Sequence, residues 1–190
     1  RGFSHIGALK VLAEHNVPID FIAGTSAGSI IGGALAGGMS VAEIVEMAAR
    51  VRWRDVVRPS LAIGGLLSNA PMDRFLRRHF PVDRFEKVAI PFTAVAFDLG
   101  TNTPVLLGDK GDLITAIRAS CAVPGIFSPV KDEHGRMLID GGVVSPLPVE
   151  TVRAMGADIV IAIDLISCGA TFRTSSRTGF GVLIQGALAL

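Results

Sequence analysis

The apolar positions of the first third recur at helical intervals, interrupted once by a short extended run. In residues 4–15, Ile6, Leu9, Val11, Leu12 and Ala13 fall broadly on helical spacing, with Ser4 placed as an N-cap. Pro18 marks a turn, residues 19–23 read as a short strand, and residues 24–26 as a tight turn. Residues 27–37 then form a helix whose small side chains permit close packing against neighbouring backbone. Ser40 followed by Glu43 has capping-box spacing, which starts another helix running to residue 49.

Between residues 51 and 69 the periodicity weakens and Pro59, Gly64 and Gly65 punctuate it, so an irregular insertion or a cover over the sheet is expected there. Residues 71–80 read as helix, 88–99 as a buried strand, 103–107 as a shorter strand, and 112–120 as a helix opened by Asp112. Gly135 separates two short extended segments, the second at residues 137–139. Residues 148–155 return to helix, and residues 158–165 read as a final apolar strand. Strands alternating with helices of about 10 residues predict an α/β fold with a mostly parallel, helix-covered sheet.

Composition narrows the class. With 190 residues, 49% of them apolar and 18% charged, the chain is expected to form a single domain over residues 1–190. Such a chain buries about 70% of its unfolded surface and needs no disulfide or metal staple. No apolar run approaches the length of a spanning helix. Cys121 and Cys168 lack the close spacing of a disulfide framework or redox motif, which makes the reducing cytoplasm the expected compartment. The chain opens at Arg1-Gly2 without Met and is still strongly apolar at Leu190, so truncation at both ends is expected, with the first strand missing.

A net charge of +1 gives no general case for nucleic acid. Its distribution matters more than its sum: residues 50–87 hold nine basic and four acidic side chains, a surplus suited to peripheral contact with an anionic membrane or to solvated surface.

The sharpest local signal is Gly24-Thr25-Ser26-Ala27-Gly28, a G-x-S-x-G motif set between a strand and a small-residue helix. Gly24 and Gly28 keep side chains out of a sharp turn that lifts the Ser26 hydroxyl above the sheet. The helix start directs unpaired N–H groups, that of Ala27 first, at the reacting oxygen. The motif lacks the Gly-Lys-Ser/Thr ending of a P-loop and the G-x-G-x-x-G of a dinucleotide site, so a kinase or dehydrogenase is disfavoured.

A serine hydroxyl needs a base to become a nucleophile. The histidines at 5, 15, 79 and 134 all precede Asp140, which does not suit a Ser-Asp-His order. Asp140 itself ends an apolar strand and enters a turn at Gly141-Gly142, on the sheet edge where ligands collect in open parallel sheets. Burial would raise its pKa while neighbouring N–H groups would lower it. A Ser26–Asp140 dyad therefore competes with the reading of Asp140 as a cap for a glycine turn. Asp98, Asp109, Asp112 and Asp164 have turn, cap or surface roles available. No H-E-x-x-H, Cys/His cluster or EF-hand spacing implies a metal, and no cofactor is expected.

At these residues the sequence resembles the patatin-like phospholipase family, particularly its bacterial acyl hydrolases. The resemblance rests on Arg1-Gly2 before the first helix, residues 24–28, the segment Ala119-Ser120-Cys121-Ala122-Val123-Pro124-Gly125-Ile126-Phe127, and Asp140-Gly141-Gly142. It implies a three-layer α/β/α sandwich, with Ser26 as nucleophile and Asp140 as base in the cleavage of lipid acyl esters. It also implies that Gly2 ends a glycine-rich loop contributing to the oxyanion hole.

On this reading the substrate is a phospholipid or lysophospholipid. Leu61, Ile63, Leu66 and Leu67, and the apolar residues at 122–127, are candidates for acyl-tail contact or for core. The alternatives are a general carboxylesterase or thioesterase, and a lipid-binding or interaction module without turnover.

Overall fold

A computed structural model describes residues 3–60 and 65–165. Helix α1 spans Phe3–Glu14, so Ser4 lies inside the helix instead of capping it. Strand β1 is Ile22–Thr25, two or three residues later than its apolar run suggests, because its ladder runs on through Gly24 and Thr25. Helix α2 is Ala27–Ala36. Its glycines serve close packing: a Cβ on Gly32 would stand 2.8 Å from Ile22 Cγ2, and one on Gly33 would stand 2.7 Å from Ile117 Cδ1. Helix α3, Val41–Arg50, starts at the expected capping box, with Ser40 N donating to Glu43 Oε2 at 2.8 Å and Glu43 N to Ser40 Oγ at 3.3 Å.

The segment read as irregular holds α4 (Trp53–Val56), β2 (Arg58–Pro59) and β3 (Gly65–Ser68). Next come α5 (Ala70–His79), β4 (Phe92–Asp98), β5 (Thr103–Leu107) and α6 (Leu113–Ser120), the last capped by Asp112 accepting from Thr115 N at 2.6 Å. Strands β6 (Gly125–Phe127), β7 (Val130–Lys131) and β8 (Met137–Asp140) and helix α7 (Val149–Ala154) follow, with single 3-10 turns at Phe85–Lys87 and Gly141–Val143. Helices flank a central sheet, as expected.

The central sheet is mixed, which corrects the expectation of a mostly parallel one. Strand β4 pairs parallel with β1 but antiparallel with both β5 and β8, and β7 pairs antiparallel with β8. The cause is local: β7 and β8 form a hairpin closed by Asp132 N donating to Arg136 O at 3.1 Å, and β5 returns directly beside β4. A second small sheet, β2-β3-β6, pairs Pro59 with Leu67 and Leu67 with Phe127.

One consequence of the register positions everything that follows. Strand β5 covers Ala94–Asp98 along one edge of β4. Strands β1 and β8 must therefore share the opposite edge, where they meet end to end: Thr25 lies opposite Val95, and Asp140 opposite Ala96. The carboxyl ends of two sequence-distant strands thus converge at consecutive residues of β4, about one strand rise of 3.3 Å apart along it.

The expected strand at 158–165 does not form. No ladder includes these residues, and Ile159 and Ile161 are 84% and 59% exposed. A groove of about 790 Å³ separates them from β1, so apolar residues suited to a strand have no partner within reach among the described residues. The main core lies between α2, α3, α5, α6 and the face of β4, around Ile44, Leu76, Leu113, Ile114 and Ile117.

Candidate active site

Ser26 leaves β1 with φ 53° and ψ −123°, a backbone conformation that L-residues rarely adopt. Gly24 makes the turn possible. A Cβ there would lie 2.5 Å from the Gly28 carbonyl oxygen and 2.7 Å from Ser29 N, both backbone atoms that cannot yield. Gly28 differs, since a Cβ at that position would meet only His5 Nε2, at 3.5 Å, among the described residues. The turn is held from below by Ser29, whose hydroxyl donates to Ser26 O at 2.7 Å.

Ala27 opens α2, and its N–H has no acceptor among the described residues. It therefore remains available at the positive end of a ten-residue helix, where backbone N–H groups favour negative charge. Gly2, the other expected donor, lies outside the described residues, as do Leu61 and Ile63.

Asp140 ends β8 and is 4% exposed. Gly142 N donates to its Oδ1 at 2.7 Å. Gly141 allows the chain to turn flat against β4, for a Cβ there would lie 2.5 Å from Val95 O. Burial pushes the Asp140 carboxyl above its ordinary value of 3.8, while the Gly142 N–H and the Ser26 hydroxyl pull it back. The Ser26 side chain is thus among the groups that favour the charged form of Asp140. Among the described residues, the one standard bond to the carboxylate is that from Gly142.

Three further groups hold the two turns together, and sequence reasoning gave none of them this role. Ser120 Oγ, wholly buried at the end of α6, accepts the Ser26 N–H at 2.9 Å. Two residues on, Ala122 O accepts the Asp140 N–H at 3.0 Å. Thr25 Oγ1 donates to Ser145 O at 2.8 Å, tying β1 to the loop after Asp140. A serine ending α6 directly after the buried Ala116, Ile117 and Ala119 was the available signal for Ser120. Nothing local marks Ala122 or Thr25, because their partners are distant in sequence.

Cys121 lies beside this bracket, 3.7 Å from Ser29 Oγ. Burial first, then the Asp140 charge, pushes its thiol far above the ordinary range, so it stays protonated and unreactive. The 790 Å³ groove runs alongside the pair without including it: Gly24, Thr25 and Gly28 line it, whereas Ser26 and Asp140 do not. No group of three or more His, Cys, Asp or Glu side chains among the described residues is arranged to hold a metal ion. No described helix is long and apolar enough to cross a membrane.

Comparison with known proteins agrees with this geometry. Residues 1–153 match the family described as Patatin-like phospholipase. An uncharacterised NTE family protein of Mycobacterium tuberculosis is 36% identical over 168 residues, covering 87% of this chain and 46% of its own length. Human patatin-like phospholipase domain-containing protein 6 is 34% identical over 174 residues, covering 87% of this chain and 12% of the longer protein. A lysophospholipase of Yarrowia lipolytica is 32% identical over 171 residues, with 87% and 12% covered. The chain therefore spans less than half the length of these relatives. Among solved structures, VipD of Legionella pneumophila superposes with a TM-score of 0.50 at 14% identity, over 76% of this chain and 44% of that one, a likeness of fold. With the family match extending over most of its length and over both turns of the site, this chain belongs to the patatin-like phospholipase family.

Proposed function

We propose that the chain hydrolyses carboxylic esters of phospholipids or lysophospholipids, with Ser26 as nucleophile and Asp140 as its base. The observation that carries the reading is the end-to-end meeting of β1 and β8 on β4, which brings a strained serine turn to a buried carboxylate. The phospholipase and lysophospholipase names of its relatives support the substrate class.

In the proposed reaction the Asp140 carboxylate takes the Ser26 proton as Oγ bonds to the ester carbonyl carbon. The Ala27 N–H stabilises the resulting oxyanion, with Gly2 the second donor implied by the family resemblance. Collapse expels the alcohol, which takes the proton held by Asp140, and leaves an acyl-Ser26 ester. Water then attacks that ester, gives its proton to Asp140, and Ser26 recovers its own as the fatty acid leaves. Burial makes Asp140 a stronger base than a solvated carboxylate, which the role of proton acceptor in a Ser-Asp pair requires. The dyad meets at the carboxyl ends of two strands, so the substrate ester has to approach from that edge of the sheet.

Site-resolved mass spectrometry after fluorophosphonate treatment tests the reading. A stoichiometric adduct on Ser26, falling sharply in a folded Asp140→Ala variant, is the expected result. A folded protein that leaves Ser26 unlabelled while turning over lysophospholipid would overturn the assignment of the nucleophile. Absence of both labelling and turnover would favour a lipid-binding module.

A further inference from the structure

We propose that α4 and the adjoining faces of α5 and β2 form a docking surface for an anionic phospholipid bilayer, with Trp53 entering the interface and arginines engaging the headgroups. The proposal deepens the lipid-hydrolase reading and rests on it for its biological sense, but the surface is argued from its own features. Trp53 is the sole tryptophan of the chain and is 76% exposed at the start of α4. An indole left in water is costly, whereas at a membrane interface its apolar body and polar N–H are both satisfied.

The charges around it are unneutralised. Arg52, Arg54 and Arg58 are exposed and make no ion pair among the described residues. Asp55, the acid within this stretch, is engaged by Arg52 N at 3.0 Å. On α5, which packs against α4, Arg74 and Arg78 stand one turn apart and exposed, on the side opposite the buried Met72 and Leu76. They too make no ion pair among the described residues. Arg77, on the same helix, shows the ordinary alternative, since it binds Asp73, Asp83 and Asp112. Five arginines with no ion pair among the described residues, three beside an exposed tryptophan in the chain and two on the helix packed against α4, suit a surface that supplies both negative charge and an apolar interior. A duplex nucleic acid, its bases stacked within, supplies the charge without an apolar interior.

The placement fits delivery of a lipid. From α4 the chain enters β2, and β2 pairs with β3, which pairs in turn with β6. Strand β6 begins three residues after Ala122, whose carbonyl holds Asp140 in place. Leu66, on β3, is also exposed. The surface thus rides on the small sheet bordering the two turns and lies outside the bonds that hold them.

Trp53 supplies its own probe. The test uses the Ser26→Ala protein, so that lipid is not consumed, with vesicles of phosphatidylcholine alone or with phosphatidylglycerol added. The expected result is a blue shift of Trp emission and co-sedimentation with the anionic vesicles, weakened by salt. With each arginine at an anionic surface worth about fivefold in partitioning, Arg52→Glu/Arg54→Glu should lose about 25-fold or more. In the Ser26 background that charge-reversed variant should leave circular dichroism unchanged. In the otherwise native protein it should leave hydrolysis of a soluble short-chain ester unchanged. Unshifted emission with anionic vesicles would overturn the proposal, even if salt-sensitive co-sedimentation persisted, and so would binding indifferent to the charge reversal. Either failure leaves ester hydrolysis standing, whereas inactivity toward all esters with vesicle docking intact would remove the hydrolase reading alone.

Discussion

The Ser120 hydroxyl oxygen receives the backbone N–H of Ser26 at 2.9 Å, from a side chain with no solvent exposure. This bond ties the end of α6 to the residue with the unusual backbone angles, and the next residues of the same segment hold Asp140 through Ala122 O. Removing the hydroxyl leaves a half-buried N–H without its acceptor, at a cost of about 1 kcal/mol. Ser120→Ala is therefore expected to lower kcat about tenfold with KM little changed, and Ser120→Thr, which restores an acceptor, to recover part of the loss. Steady-state kinetics on a soluble ester, alongside the rate of fluorophosphonate labelling at Ser26, measure both. A rise in KM with kcat intact would remove Ser120 from the positioning of the nucleophile.

The two motif glycines should respond differently. Gly24→Ala drives a Cβ to 2.5 Å from backbone at Gly28, so it should cost about 3 kcal/mol or more and abolish labelling. Gly28→Ala meets an ordinary 3.5 Å contact with His5 inside a helix that favours Ala over Gly by about 1 kcal/mol. Chemical denaturation should show it as stable as the parent, or slightly more so. Equal destabilisation by both substitutions would contradict this account of the turn.

Asp140 links activity to stability with opposite signs. Its folded pKa is raised above the ordinary 3.8, so between the unfolded and folded values the native state binds the extra proton. Stability contributed by this group is present below 3.8 and falls as pH rises through the folded pKa. Asp140→Asn keeps an acceptor for Gly142 N while removing the buried charge. It should raise Tm at neutral pH, lose that advantage in acid, and reduce turnover by roughly 10⁴- to 10⁶-fold, the range seen when a serine hydrolase loses a member of its catalytic triad. Thermal unfolding at two pH values decides this; a lowered Tm at neutral pH would show the charge to be better compensated than its burial indicates.

The same shift sets the acid limb of the rate profile. Because the unprotonated carboxylate is the proposed base, kcat/KM should rise with pH through an inflection above 3.8. Gly142→Ala should move that inflection further up. Its Cβ would sit 3.0 Å from Asp140 Oδ1 and displace the N–H that stabilises the charge. An inflection unchanged by this substitution would assign the limb to another group.

Much of this arrangement was legible in the chain wherever its cause was local. The Ser40–Glu43 box, the Asp112 cap, the bounds of β5 and the strand–turn–helix around Ser26 each follow from residues within a few positions of one another. The candidate pair could be named because each member sits at a strand end beside glycine. Sheet direction was not legible, since whether β8 runs with or against β4 depends on a hairpin and on a partner more than forty residues away. Strand β2 escaped because a two-residue strand containing Pro59 has no alternation to read, and β3 because Gly65-Leu66-Leu67-Ser68 does not alternate. The apolar run at 158–165 misled for the converse reason: it has the composition of a strand but a groove lies where a partner would pair.

The end-to-end meeting of β1 and β8 also bears on when the chain becomes reactive during folding. Ser26 and Asp140 approach only after both strands have zipped onto the same edge of β4, and Thr25 and Ser145 then close a contact spanning 120 positions. Such non-local pairings form late, because loop-closure entropy must be overcome before they yield contacts. A partly folded chain, with its apolar surface open and prone to adhere to membranes, would carry the nucleophile and the base on unconnected segments. On the proposed reading, ester cleavage is thereby withheld until the sheet is complete, and the appearance of fluorophosphonate reactivity becomes a clock for the last step of folding.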